Sequence, residues 1–471
     1  MRKGIFSVSM PAMDKDSFKN SRVLVMGLGT FGGGVDSAAF AAAAGAKVTV
    51  TDLAAEEKLT RAIEQLKDYK NIEYHLAGHK PSDFQNCDYL IVNPAVPLDN
   101  KFVEIARQAG AQITSQIELF FNLSPSTIVA ITGSNGKSTT AALAAHLLEA
   151  GAGKDNCDYR KVWLGGNIGD MPLLTNLDEI TTDDIAVLEI SSFQIDQLAA
   201  SKIGPAVAMV TNITPNHLDR HGTFDEYCRI KKTLFEMQTC NDKNSAVSIF
   251  NGEDEIATKW FAEYSKQARR ESLLFTADDI SGDIASRFTL PGRANRSNLA
   301  AAIAVAKHFA VTDECIAEAV GKFKGLDNRL QLVAEFNGVG WYDDSIATTP
   351  ASTIVALEAF SEPKIIIAGG YDKGVDFAAL GEAIGNMAKA AILIGDTAEK
   401  IAASIRKSSD DKIPVKIADS MEDAVGIADG LADIGDVVLL SPACASYDMF
   451  DNYRARGKVF CGAVRLLQQK L

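Results

Sequence analysis

The sequence predicts an α/β protein of three domains, and three observations lead there. Its 471 residues, at about 150 per domain, give roughly three. Its composition, 47% hydrophobic with 36 glycines and 7% aromatic residues, suits α/β domains with large cores. Its apolar strands repeatedly run into a glycine turn and then a helix, the pattern of α/β units. The expected domains are 1–122, 123–325 and 326–471, with about 20 residues at the start, ending near Asn20, as a loose extension.

Several classes of protein are disfavoured at once. No apolar run reaches the ~18 residues of a membrane span, and Asp14, Lys15 and Asp16 interrupt the N-terminal apolar patch too early for a secretory signal. The seven cysteines are scattered without a Cys-x-x-Cys pair, which suggests neither a disulfide framework nor a zinc site. A net charge of −14 argues against nucleic acid as a partner and requires local cationic pockets for any anionic substrate. A cytoplasmic monomer with no membrane partner is expected.

The first domain opens with a strand, Arg22 to Met26, followed by the turn Gly27-Leu28-Gly29-Thr30-Phe31-Gly32. Ala38 to Ala44 reads as a helix and Lys47 to Thr51 as the next strand, which ends at Asp52. An acid at this distance beyond a Gly-x-Gly-x-x-Gly turn is the arrangement of dinucleotide-binding folds. Close helix packing without a ligand is the alternative. A further strand, Tyr89 to Val92, ends at Asn93-Pro94-Ala95, where ligands of open α/β sheets gather.

The strongest chemical signal opens the second domain. Ile128 to Ile131 read as a buried strand, Thr132 to Gly136 as a tight turn, and Lys137 as the start of an Ala- and Leu-rich helix. Gly133, Ser134, Asn135, Gly136, Lys137, Ser138 and Thr139 thus form a phosphate cradle. Backbone N–H groups face the anion, Lys137 adds a point charge, and the Ser138 hydroxyl can hold Mg²⁺. No glycine stands five residues before Gly136, so this is a shorter variant of the common Gly-x-x-x-x-Gly-Lys loop.

Beyond the cradle, Gly165 to Gly169 read as a loop, and the strand Asp184 to Leu188 delivers Glu189, a candidate Mg²⁺ ligand. The strand Ala206 to Val210 delivers Asn212 and a loop carrying His217 and Asp219. His217 is either a functional imidazole or a packed one, and His221 is taken as structural. Tyr227 to Glu236 reads as a helix whose Arg229, Lys231 and Lys232 suggest a solvated charged face. Asn295 and Asn298 lie on one face near the start of a helix over 293–309, either capping it or offering amides to a ligand.

In the third domain, Gln331 to Phe336 and Val339 to Asp343 flank the turn Asn337-Gly338, a hairpin signal. The strands Lys364 to Ala368, Ala391 to Gly395 and Val437 to Leu440 are expected, two of them ending in polar loops that carry Lys373 and Ser446. A helix through Ala356 to Phe360 follows Thr348, Thr349 and Pro350.

Together, Thr132 to Ser138, Gly166-Asn167-Ile168-Gly169, Glu189 to Gln194 and Asn212 to Asp219 resemble the Mur ligases over nearly the whole chain. These are the ATP-dependent amide ligases of peptidoglycan precursor synthesis. Asp343-Asp344-Ser345, Gly369-Gly370 with Lys373, and Leu440 to Ser446 resemble the branch that adds glutamate to UDP-N-acetylmuramoyl-L-alanine. The resemblance implies a Rossmann-like UDP-binding domain, a central P-loop ATPase domain, and a Rossmann-like domain that receives the amino acid. It implies that Lys137 and Ser138 hold the ATP phosphates and Mg²⁺, that Glu189 binds Mg²⁺, and that His217 binds a second Mg²⁺. Lys231 would become a carbamate by adding CO₂, in place of its reading as a surface cation. Asn295, Arg329 and Asp344 would contact ATP, and Thr348, Lys373, Ser446 and Tyr453 the incoming glutamate. Gly29, Thr30, Asp52, Asn93, Pro94, Ala95 and Asn167 would contact the UDP-substrate.

Three positions depart from the family. Its Asp-Ser-Lys-Ala-Thr-Asn motif reads Asp344-Ser345-Ile346-Ala347-Thr348-Thr349, and its phenylalanine near the glutamate is Tyr453. A branch that adds L-glutamate varies in this region. D-glutamate is the expected substrate, with L-glutamate the alternative. A folylpolyglutamate-type ligase shares the ATPase domain but usually lacks the N-terminal one, and a nucleotide-binding protein without turnover would not need Lys137, Glu189, His217 and Lys231 together.

Overall fold

The computed structural model describes residues 14–29, 32–154, 156–168, 171–199, 201–239, 245–409 and 412–469. These form three sheets in two compact units. One unit runs to Asp279 and includes Asn298–Ala319, and the other comprises Ile280–Ser297 and Val320–Leu471. The expected segment 123–325 therefore does not stay with one unit. Close packing explains part of this: within the second unit, a Cβ on Gly292 would lie 2.7 Å from that of Ala359, and one on Gly325 would meet Leu290 at 3.1 Å.

The first sheet consists of β1 (Arg22–Met26), β2 (Lys47–Thr51), β3 (Ile72–His75), β4 (Tyr89–Val92) and β5 (Gln112–Thr114), in the order β3-β2-β1-β4-β5. All pairs are parallel, and the order reverses between β1 and β4. At such a switch point neighbouring loops diverge and leave a crevice at the strand carboxyl ends. The Gly27 and Asn93 loops flank that crevice.

Residues 14–20 are not a loose extension. Asp14 caps a 3₁₀ turn, Lys15–Phe18, and Phe18 is fully buried. Its ring lies 5.5 Å from Phe40 and 4.7 Å from Tyr89, so one aromatic anchors a stretch that reads as charged. The earlier part of the expected extension, and Thr30, lie outside the described residues.

The second sheet is also parallel. It holds β6 (Thr127–Thr132), β7 (Lys161–Gly166), β8 (Asp184–Glu189), β9 (Val207–Val210), β10 (Ala246–Asn251) and β11 (Arg270–Phe275), ordered β11-β10-β9-β6-β8-β7. Central β6 lies between β8 and β9, so the cradle after β6 is flanked by Glu189 and by the Asn212 loop. Gly165 and Gly166, expected in a loop, finish β7 instead.

The third sheet holds β12 (Gln331–Phe336), β13 (Val339–Asp343), β14 (Lys364–Gly369), β15 (Ala390–Ile394), β16 (Val415–Ile417) and β17 (Val437–Leu440), ordered β12-β13-β17-β14-β15-β16. Among the described strands of this sheet only β12 and β13 pair antiparallel, through the expected hairpin, where Asn337 and Gly338 have φ of 53° and 72° as a primed turn requires. Adjacent β13, β17 and β14 bring the Asp344, Ser446 and Lys373 loops to one edge. Among the described residues, no helix is long and apolar enough to cross a membrane.

Helix Gln116–Leu123 follows the first sheet and buries Glu118 on its third residue. Burial pushes this carboxyl up to about 7. The native chain thus keeps a proton that the unfolded chain loses at a lower pH. The associated stability is complete below the ordinary glutamate pKa and disappears as pH rises through about 7. Glu118→Gln, which cannot ionise, is expected to gain about 3 kcal/mol on wild type between pH 4.5 and pH 8. Denaturant melts at the two pH values read the difference, and a constant offset would contradict it.

Candidate active site

The cradle is built by backbone conformations that exclude side chains. Gly133 has φ +146° and Gly136 +79°, and a Cβ would come within 1.9 Å of Thr211 Oγ1 at the first and 2.3 Å of Asn298 Oδ1 at the second. Gly136 caps helix Lys137–Gly151, so the following N–H groups open toward the loop. The turn is held by the segment after β9. Asn135 N donates to Asn212 Oδ1 at 2.9 Å, and Asn212 Nδ2 returns to the Asn135 carbonyl at 3.0 Å. Ser134 N donates to the Asn212 carbonyl at 2.8 Å, while Ser134 Oγ bonds the Thr214 carbonyl at 2.8 Å. Lys137 Nζ arches back to the Ser134 carbonyl at 2.9 Å, which places its charge over the loop. Ser138 and Thr139 are buried at the helix start. This shape fits a polyphosphate.

Lys231 does not lie on a solvated face. It is 1% exposed, and its Nζ donates to the Gly133 carbonyl at 2.8 Å and to Thr132 Oγ1 at 3.1 Å. Burial, then the neighbouring Lys137 charge, drive its pKa well below the ordinary lysine value, against an opposing pull from Glu189. Both causes disfavour the charged ammonium at this position. Its sequence neighbours behave differently: Arg229 pairs with Glu226 at 2.7 Å and Lys232 with Glu263 at 2.7 Å, both on the outer side.

Glu189 ends β8 with 2% exposure. Its Oε1 accepts from Asn167 Nδ2 at 3.1 Å, whereas buried Oε2 has no hydrogen-bond partner. An orphaned carboxylate oxygen beside a phosphate cradle fits a divalent cation. Among the described residues no three His, Cys, Asp or Glu side chains gather around one point, so a cation here must draw on a mixed set such as Ser138, Glu189 and substrate oxygens.

His217 has a left-handed backbone, φ 52°, and packs its ring 5.0 Å from Phe193. Desolvation, then the Lys137 charge, lower its pKa, so the neutral imidazole is favoured. His221 has the structural surroundings expected of it, with Nε2 2.9 Å from Ser192 Oγ and its ring against Phe193 and Tyr227.

At the first sheet, Asp52 Oδ2 accepts from Gly29 N at 3.1 Å and Oδ1 from Ala54 N at 2.8 Å. Asn93 Nδ2 donates to the Gly27 carbonyl at 3.2 Å, and Ala95 N to Asn93 Oδ1 at 3.0 Å. A small pocket between the β1 and β4 ends is lined by Gly27, Gly33, Asn93, Pro94 and Gln116 among others. Of the residues expected around the UDP-substrate, Asn167 stands apart from this group, on Glu189 of the second sheet.

In the second unit, Asp344 is 7% exposed and accepts from Ser441 Oγ at 2.8 Å and Leu330 N at 3.3 Å. Burial raises its carboxyl to about 7 despite these bonds and the Arg329 charge. Ser446 is buried, Lys373 exposed, and Tyr453 and Thr348 half-buried. Asn295 Nδ2 donates to the Pro291 carbonyl at 2.8 Å. The Thr349 departure keeps a helix cap: its hydroxyl accepts from Ser352 N at the start of Pro350–Glu358, as an asparagine would.

Two buried charged residues were not visible in the sequence pattern. Arg456 is fully buried, and its Nη2 donates to the carbonyls of Ser345 at 2.8 Å and Cys444 at 3.0 Å, tying the Asp344 and Ser446 loops together. Burial lowers its guanidinium to about 10. Asp36 joins the first two sheets. Its Oδ2 accepts from Leu173 N, Leu174 N and Gln116 Nε2 at 3.0, 2.9 and 2.6 Å, and Oδ1 from Thr175 N and Oγ1 at 3.0 and 2.9 Å. A Gly-Gly-Val-Asp36 helix start and a Tyr453-Arg-Ala-Arg456 helix start were the only signals available.

Comparison with known proteins accounts for these three sheets in order. Residues 21–115 match the Mur ligase MurD-like N-terminal domain, 131–306 the Mur ligase middle domain, and 328–444 the Mur ligase glutamate ligase domain. The UDP-N-acetylmuramoylalanine–D-glutamate ligase of Acetivibrio thermocellus is 38% identical, across 95% of this chain and 96% of its own. That of Koribacter versatilis is 37% identical, across 96% and 99%. Among solved structures, the UDP-N-acetylmuramate-alanine ligase MurC of Thermotoga maritima shares the fold at a TM-score of 0.56 and 17% identity, covering 96% of this chain and all of that one. A pseudomurein peptide ligase type C from Methanothermus fervidus does so at 0.55 and 16%, covering 95% and 100%. The Mur ligases use ATP and Mg²⁺, in keeping with the cradle and the orphaned Glu189 oxygen. The chain belongs to the Mur ligase family, in its glutamate-adding, MurD-like branch.

Proposed function

We propose that this protein joins D-glutamate to the L-alanine carboxylate of UDP-N-acetylmuramoyl-L-alanine, with conversion of ATP to ADP and phosphate. The observation that carries the reading is the buried amine of Lys231 on the cradle carbonyl of Gly133, in the electrostatic reach of Lys137 and Glu189. A simple nucleotide-binding domain has no use for a desolvated lysine there.

A carboxylate is a poor acyl donor because its leaving group would be oxide. Transfer of the ATP γ-phosphoryl group to it gives an acyl phosphate, from which phosphate leaves when the glutamate amine attacks. Gly133 to Thr139 hold the ATP phosphates, and Lys137 neutralises charge on the transferred group. Asn295, Arg329 and Asp344 are assigned to the nucleotide, and Thr348, Lys373, Ser446 and Tyr453 to glutamate, on the family pattern. Asp52 and Asn93 to Ala95 are assigned to the UDP moiety with Gly29 and Thr30, and Asn167 to the muramoyl-peptide end.

Ser138, Glu189 and His217 would hold two Mg²⁺ ions, which when bound neutralise the crowded phosphate oxygens. Lys231 completes the set as a carbamate: its neutral amine adds to CO₂, forms an N–C bond and releases one proton. This replaces a buried amine by an anion suited to divalent ligation. His217, with its lowered pKa, can also accept a proton from the amine when it is not bound to metal.

D-glutamate is preferred because the full-length relatives carry that name, although Ile346 and Tyr453 depart from the family near the amino-acid end. Phosphate release with each enantiomer tests it. D-glutamate is expected to stimulate release at least about a hundredfold over L-glutamate, and stimulation by L-glutamate alone would overturn the stereochemical assignment.

A further inference from the structure

The cradle of the first sheet has an unbalanced charge. Among the described residues, no Lys, Arg or His lines the pocket between the β1 and β4 ends. Two carboxylates stand beside it: Asp52 on the Gly29 amide, and Asp36 in the first turn of helix Gly33–Ala43. A diphosphate carries about two negative charges, and a helix N-terminus answers with only about half a positive one. The Gly29 N–H is already taken by Asp52 at 3.1 Å. Backbone groups alone therefore leave the diphosphate of a nucleotide-sugar largely uncompensated, in a chain whose net charge is −14.

A cation is bonded next to the Asn93-Pro94 lining of this pocket, and the segment after β9 supplies it. Arg220, three residues after His217, donates from Nη1 to the Ala95 carbonyl at 3.0 Å. Its guanidinium lies 5.0 Å from the Phe193 ring centroid, so the plane is held from two sides. Nε and Nη2 make no other hydrogen bond among the described residues, which leaves a donor edge of the fork available. Ala95 is itself bonded to Asn93, and Asn93 lines the pocket. A planar, always-charged fork is the side chain best matched to phosphate oxygens.

We propose that Arg220 binds the diphosphate of the UDP-substrate and thereby sets the preference for a nucleoside diphosphate over an uncharged nucleoside. The proposal rests on the UDP-substrate reading above. Calorimetry with UDP and with uridine, on wild type, Arg220→Met and Arg220→Lys, tests it without turnover. Wild type is expected to bind UDP at least about tenfold more tightly than uridine. Arg220→Met should remove most of that difference by weakening UDP about tenfold while leaving uridine unchanged, and Arg220→Lys should restore part of it. In steady state the loss should fall on KM for UDP-N-acetylmuramoyl-L-alanine, with KM for ATP unmoved. Equal effects on UDP and uridine, no effect on either, or a fall in kcat at constant KM would overturn the proposal. If Arg220→Met does not fold, Arg220→Lys carries the same comparison, and an unchanged UDP-to-uridine ratio in it overturns the assignment. Failure of wild type to form ADP with the UDP-substrate would count against the proposed function alone, because the binding comparison does not depend on it.

Discussion

Lys231→Ala is expected to reduce turnover by about a thousandfold or more, the loss of several kcal/mol of charge stabilisation at the phosphoryl group. The amine bonds the Gly133 carbonyl and the Thr132 hydroxyl with almost no exposure. Burial and the Lys137 charge both disfavour its ammonium form, the direction that the proposed addition to CO₂ needs. Protein equilibrated with ¹³C-bicarbonate should show a carbamate carbon resonance that disappears in the variant. Wild-type phosphate release from Lys231→Ala would contradict the assignment, as would absence of the resonance from active native enzyme.

Asp36→Ala should destabilise the protein by about 3–5 kcal/mol, because it leaves several buried donors without an acceptor. Two of them are the backbone N–H groups of Leu173 and Leu174 and a third is the Gln116 amide, beside the part-buried N–H of Thr175. The 3₁₀ helix Leu174–Glu179 has no other side-chain cap. Asp36→Asn should lose less, since one oxygen still accepts while the new NH₂ faces N–H groups. Amide exchange at Leu173, Leu174 and Thr175 should accelerate in both variants before global unfolding, and a melting point unchanged by Asp36→Ala would show that the carboxylate holds nothing.

These two residues mark where the sequence was legible and where it was not. The phosphate loop was readable because its glycines, Lys137 and Ser138 are consecutive, and local chemistry sets their geometry. Central strands such as Arg22–Met26 and Val437–Leu440 were readable because apolar runs bounded by turns have few alternatives. The edge strands Ile72–His75 and Val415–Ile417 were missed, being short and only half-covered, so their alternation is weak. Lys231 reads as one of three cations on a helix, and the pattern does not show which of them faces the core. The family resemblance, not periodicity, singled it out. Asp36 and Arg456 had only their helix starts as a signal, because most of their partners are backbone groups, Leu173 and Ser345 among them more than a hundred residues away in sequence, and backbone groups leave no mark on composition. Phe18 was lost in the same way, as one aromatic among charged neighbours whose partners Phe40 and Tyr89 lie on other elements.

The most direct test of the central claim follows oxygen. UDP-N-acetylmuramoyl-L-alanine labelled with ¹⁸O in its alanine carboxylate is incubated with ATP, Mg²⁺ and D-glutamate, and the inorganic phosphate is analysed by mass. Activation through an acyl phosphate predicts one ¹⁸O atom in each phosphate released and one retained in the new amide. Phosphate free of label, while product and ADP accumulate, would contradict the account.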